Sequence, residues 1–162
     1  MKYPVEQERN EMNASILILF GTESGNAEMV ADDISMCFAE KGLPCIVKSM
    51  AEQDVSELEA TRLAIFVTST YGEGDMPETT EPFYRALVDT RPNLATMRFA
   101  AFGLGDSSYT SYNRAIDVLT EMLVLCGATQ IGETGRHNAS KGVPANQVAT
   151  EWSENIIAAI KG

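Results

Sequence analysis

A chain of 162 residues, 44% of them apolar, has the composition of an ordinary globular protein and the length for one domain with a single sizeable core. Twelve basic against 23 acidic residues leave a formal net charge of −11, which argues against nucleic acid or an anionic membrane as a partner and favours a partner with a basic docking face. No apolar run approaches the roughly 20 residues that span a bilayer, and the N-terminus has no hydrophobic signal core, so a cytoplasmic protein is expected.

Residues 1–13 are polar, carry Pro4 and show no period. We take them as a flexible extension before one domain over 14–162, with a small docking segment as the alternative. Residues 15–20 are a continuous apolar run, as expected of a strand buried on both faces of a parallel sheet. The period then changes. Ala27, Val30, Ala31, Ile34 and Phe38 fall on one stripe of a helix, which Lys41 and Gly42 close, Gly42 being suited to a left-handed C-cap. Residues 43–48 read as a second strand, near an edge because of Pro44, and 54–59 as a short helix. A third buried strand spans 63–68, a helix 81–88 and a fourth strand 99–102. Ala115, Leu119, Met122, Leu123 and Cys126 form another helical stripe. Residues 128–132 read as a fifth strand, interrupted by the glycine-rich segment to Gly135, and Val148, Trp152, Ile156, Ala159 and Ile160 as a final helix. This alternation predicts a doubly wound α/β domain, whose ligands bind beyond the carboxyl ends of the strands.

Cys37, Cys45 and Cys126 are widely spaced without a Cys-x-x-Cys pair, which points to structural thiols, two in helices and Cys45 in a strand. His137 is the only histidine. A metal site or a Ser-His-Asp triad has no support, and no catalytic side chain is expected.

Three loops at strand ends carry the chemistry. The first, Thr22, Glu23, Ser24, Gly25, Asn26 and Ala27, leads from a strand into a helix, and free backbone N–H groups at such an entrance bind phosphate. It lacks the lysine of a P-loop and the three-glycine spacing of a dinucleotide fingerprint. The alternative is an ordinary capped turn with Thr22 or Ser24 as N-cap. The second loop begins with Ser69, Thr70, Tyr71 and Gly72. The third runs through Leu104, Gly105, Asp106, Ser107, Ser108, Tyr109, Thr110, Ser111, Tyr112 and Asn113. Tyr71 and Tyr109 flanking a slot fit a flat, electron-poor ring, while glycines let the backbone approach its edge. One phosphate and one flat ring describe flavin mononucleotide (FMN); taken singly, each tyrosine reads better as a half-buried surface residue, and it is the common location of the loops that counts against that. Glu23, Glu28, Glu73, Asp75 and Asp106 lie in or beside these loops, which hold no lysine or arginine. An anionic reduced ring is disfavoured in such a field, so stabilisation of the neutral one-electron-reduced ring is expected.

With these residues in view, the chain resembles the flavodoxin family over about residues 15–161, more particularly the small MioC-type flavodoxins and the FMN domains of diflavin reductases. The resemblance implies a five-stranded parallel sheet in the order 2-1-3-4-5 with helices on both faces, and FMN as cofactor. It implies that Thr22, Ser24 and Asn26 bond the phosphate with the backbone of 23–27, and that Tyr71 and Tyr109 sandwich the isoalloxazine. It also implies that the Gly72–Glu73 peptide turns to the flavin N5–H on reduction, and that 104–113 line the ring edge and ribityl chain. Where Ala27 stands, many flavodoxins have a second hydroxyl residue, although alanine occurs there in diflavin-type domains. The last strand has no room for the insertion of long-chain flavodoxins.

Because no nicotinamide- or FAD-binding segment follows, the expected donor is a separate NADPH-dependent flavoprotein reductase. The expected acceptor is an enzyme with a basic docking face, and the protein itself a monomeric electron carrier, with neither nucleic acid nor membrane as partner. Two rivals stand beside this reading. A flavin enzyme reducing quinones directly with NAD(P)H would find the outer tyrosine over its nicotinamide face. A flavin-free response regulator would need acidic residues where Thr22 and residues 68–71 stand.

Overall fold

The computed structural model describes residues 15–22, 25–70, 75–105 and 113–162. The apolar runs form the middle of one sheet: β1 (Ile16–Gly21), β3 (Leu63–Ser69) and β4 (Arg98–Gly105) are buried along almost their whole length. β2 (Cys45–Ser49) pairs only with β1 and lies at the edge, where Pro44 foreshadows it. All pairings are parallel and the order is β2-β1-β3-β4-β5, the doubly wound arrangement expected from the alternation of strand and helix.

The fifth position is filled in two pieces. β5 is only Thr129–Gln130, paired to Arg98 and Phe99, and β6 (Gly135–Asn138) rejoins β4 at 102–105. The strand expected over 128–132 is thus cut short: Ile131 still donates its N–H to the Phe99 carbonyl, and residues 132–134 leave the sheet. Gly132 turns the chain outward with φ 65, a conformation glycine adopts at little cost. Trp152 Nε1 then donates to the Glu133 carbonyl at 3.0 Å and holds the excursion down. Gly135 marks the return, because a Cβ there would lie 2.7 Å from Trp152 Cδ1 and run into the Phe102 ring.

Two layers of helix bury the sheet. α1 (Asn26–Glu40) and α4 (Ala145–Lys161) cover one face, on which Ile18, Phe20, Ile65, Val67, Phe102 and Leu104 pack. α2 (Thr80–Thr90) and α3 (Arg114–Leu125) cover the other, over Leu19, Phe66, Phe99 and Ala101. The α1 stripe is the predicted one in every position. Gly42, at φ 77, ends that helix, with Gly42 N–H on the Ala39 carbonyl and Leu43 N–H on that of Phe38. The α4 stripe is the predicted one at Trp152 and Ile156, with Val148 and Ile160 packed against the same cluster, and differs around them. Ala149, Trp152, Ser153, Ile156 and Ile157 are buried while Ala159 is exposed, because small Ala149 and Ser153 turn inward between the larger side chains. The short helix expected over 54–59 is a 3₁₀ helix at Val55–Ala60, capped by Asp54 accepting the Ser56 N–H at 2.9 Å. Cys126 sits at the C-cap of α3, just past its last turn.

Candidate cofactor site

β1, β3 and β4 end level with one another: Gly21 faces Thr68 across the sheet, Thr68 faces Gly103, and Ser69 faces Leu104. Their loops therefore open onto one rim. At the first loop the N-cap of α1 is Gly25, at φ 89, rather than Thr22, and among the described residues no side chain caps the helix; Ser24 lies outside the described residues. The Thr22 hydroxyl instead accepts the Gly25 N–H at 2.9 Å and closes the loop on itself. The first-turn amides of α1 are left facing outward with the positive end of the helix dipole, an anion cradle without a cationic side chain. Asn26 is exposed beside it, whereas the Ala27 side chain is fully buried, so Ala27 offers the cradle only its backbone.

The second loop is anchored at both ends by threonines. Thr70 N–H donates to the Leu104 carbonyl at 2.8 Å, and its hydroxyl accepts the Ala115 N–H at 3.0 Å in the first turn of α3. Sequence reading missed the far end. The Thr79 hydroxyl accepts the Thr22 N–H at 2.7 Å and donates to the Thr22 carbonyl at 3.1 Å, so one side chain satisfies both backbone groups of a residue in the first loop. Directly below, the buried hydroxyls of Thr68 and Thr80 pair at 2.7 Å. Thr80 packs so tightly on β1 that a Cβ at Gly21 would run into its hydroxyl. The only sequence signal for this layer is the Thr79 and Thr80 doublet two residues after Pro77.

At the third loop Leu104 turns into the apolar face, Gly105 is half-buried at the rim, and Asn113 forms the N-cap of α3 at φ 63. Asn113 is fully buried, yet among the described residues neither Oδ1 nor Nδ2 has a hydrogen-bond partner. A buried amide left unpaired costs on the order of 1–3 kcal/mol. A ligand edge rich in donors and acceptors is the kind of group that removes this cost, and with the open α1 amides the donor set suits a phosphate ester joined to a polar ring system.

Of the predicted residues, the structure brings Thr22, Gly25, Asn26, Ala27, Ser69, Thr70, Leu104, Gly105 and Asn113 to this rim. Glu23, Ser24, Tyr71, Gly72, Asp106, Ser107, Ser108, Tyr109, Thr110, Ser111 and Tyr112 lie outside the described residues, as does Glu73. β6 reaches the same edge, with His137 beside Leu104 and Asn138 beside Gly105. Arg136 forks onto Asp117 of α3 through contacts of 2.6 and 3.2 Å, and so fixes the first turn of that helix against the strand.

The thiols take no part in this rim. Burial pushes the Cys45 thiol up to about 12 despite an opposing hydrogen bond from Ser35. Burial also raises Cys126, against the pull of Arg91, and a thiol so held is a poor nucleophile. Among the described residues no group of three acidic, histidine or cysteine side chains could hold a metal ion, and no helix is long and apolar enough to cross a membrane.

The family model described as Flavodoxin matches residues 18–150. The chain belongs to the flavodoxin family. Protein MioC of Escherichia coli O157:H7 is 32% identical over 91% of this flavodoxin-family chain and 99% of its own length. NADPH-dependent diflavin oxidoreductase 1 of Schizosaccharomyces pombe is 32% identical over 92% of the chain, which spans only 26% of that relative's length. Among solved structures, a mutant form of flavodoxin from Pseudomonas aeruginosa superposes with a TM-score of 0.82 at 30% identity, covering 91% of this chain and 99% of that one. Oxidised flavodoxin 1 from Bacillus cereus gives a TM-score of 0.77 at 26% identity, covering 89% and 97%. Flavodoxins bind FMN and carry electrons rather than act as enzymes, and this chain is a flavodoxin-like, FMN-binding electron-transfer protein.

Proposed function

We propose that the chain carries single electrons from a separate NADPH-dependent flavoprotein reductase to an acceptor enzyme that docks through a basic face. In this reading Thr22, Ser24 and Asn26, with the backbone of 23–27, hold the FMN phosphate, and Tyr71 and Tyr109 enclose the ring. Ser69, Thr70, Gly72 and residues 104–113 line the ring edge and ribityl chain. FMN, when bound, supplies the one-electron chemistry. The chain's own residues bind it, orient it and set the field around it. The observation that carries the reading is that, among the described residues, the α1 entrance has no side-chain cap and the buried Asn113 amide no partner, two places at one end of the sheet that call for hydrogen bonds from one ligand. The net charge of −11 supports a basic partner, and the likeness to a diflavin oxidoreductase supports a reductase as donor. The carrier is monomeric and cytoplasmic in this reading, with residues 1–13 as an extension to the domain over 14–162.

The test is a stepwise reduction of the FMN-loaded protein by such a reductase at increasing ionic strength. The expected result is FMN uptake near one equivalent, no NADPH oxidation by the protein alone, and transfer that slows as salt screens the attraction. A colourless protein that takes up no FMN sinks the reading. NADPH oxidation without a reductase moves it to a quinone-reducing enzyme, and rates indifferent to salt remove the acidic docking face.

A further inference from the structure

Thr79 lies outside every predicted site segment, yet it is the residue that fixes Thr22. Its hydroxyl bonds both the N–H and the C=O of Thr22, 57 positions away, at 2.7 and 3.1 Å. Thr22 passes that constraint on, because its own hydroxyl holds the Gly25 N–H at 2.9 Å and Gly25 is the N-cap of α1. The anion cradle is thus oriented by a side chain at the entrance of α2. Without it the Thr22 peptides could rotate towards water, and the Thr22 hydroxyl would no longer be aimed at Gly25.

The geometry points to Thr79 as a positioning residue that determines specificity for the phosphorylated flavin, acting through Thr22 on the α1 cradle without touching the ligand. This inference rests on the FMN reading above. A clamp that accepts from the N–H and donates to the C=O of one residue demands a hydroxyl. Valine has the same shape and neither bond, whereas serine keeps the hydroxyl and loses a methyl. The half-buried setting of Thr79 lets water take over the abandoned Thr22 groups, so the fold survives its loss.

The experiment titrates wild type, Thr79→Val and Thr79→Ser with FMN and with riboflavin by fluorescence quenching, and records the ³¹P resonance of bound FMN. For Thr79→Val the expected result is FMN affinity lower by about tenfold, the scale of one well-placed hydrogen bond, with a shifted phosphate resonance. Riboflavin affinity should stay within about twofold, and Thr79→Ser should restore both FMN readouts. Thermal unfolding of the apoproteins checks that all three fold alike. Equal losses for FMN and riboflavin, or an unchanged FMN affinity and phosphate resonance, would overturn the positioning role. Should wild type bind neither flavin, the FMN reading itself fails. Should riboflavin binding to wild type be too weak to titrate, the phosphate resonance and its recovery in Thr79→Ser decide.

Discussion

The two faces of the sheet are built differently where they approach the rim. On the α1/α4 face, side chains remain large and apolar to the end: Phe20, Val67 and Phe102 lie level with one another, and Leu104 follows one layer beyond. On the α2/α3 face the last layer is Gly21, Thr68 and Gly103. The missing bulk lets the N-termini of α2 and α3 come down onto the strands, so that Thr80 reaches Thr68 and Asn113 sits against Gly103. One face supplies stability by burial. The other gives up part of that burial to place hydroxyls and amides where loops must be held in register.

The largest effect should come from breaking the apolar face. Phe102 is fully buried and meets the Trp152 ring edge-on at 5.4 Å, so Phe102→Ala should lower unfolding free energy by about 3–5 kcal/mol in urea titration. A loss below about 1 kcal/mol would mean that this face is not where stability resides.

The polar face should be sensitive to addition rather than removal. Gly21→Ala drives a methyl into the Thr80 hydroxyl and towards Met50 Sδ at 3.0 Å, with an expected cost of about 1–3 kcal/mol. Adding Thr80→Ala should recover part of that loss, because the two sites touch and their effects cannot be additive. Strict additivity in chemical denaturation would count against the close approach.

The smallest effect tests how dry the α1/α4 face is. Cys45 packs against that cluster and its thiol is raised to about 12. At pH 8 only about one thiol in 10⁴ is then ionised, so alkylation should be far slower than for a free cysteine. The sign is fixed: the rate should climb with pH up to about 12, and rapid modification at pH 8 would show that water reaches the strand.

What could be read in advance follows the same division. The apolar runs of β1, β3 and β4 and the α1 stripe were legible because burial on both faces, or on one helical stripe, leaves a direct pattern in residue type. β6 was not, since Gly-Arg-His-Asn has no apolar pattern and is a strand only because β4 offers it a free edge. The α4 stripe was legible at Trp152 and Ile156, with Val148 and Ile160 packed beside them, whereas Ser153, a polar residue fully buried there, carries no apolar signal. Of the rim, the uncapped entrance of α1 could be foreseen from a glycine at the right place. Thr79 could not, because its partner is backbone 57 residues distant and carries no side-chain signature.

The excursion over 132–134 between β5 and β6 makes the last strand position modular. β4 pairs with one segment before the gap and another after it, so the sheet holds both sides of the detour without needing continuity between them. Extra length introduced between Gly132 and Glu133, both exposed, would stand outside the ladder. A reporter or an entire foreign domain could be grafted there, on the far edge of the sheet from β2, without severing the backbone ladder that supports the rim.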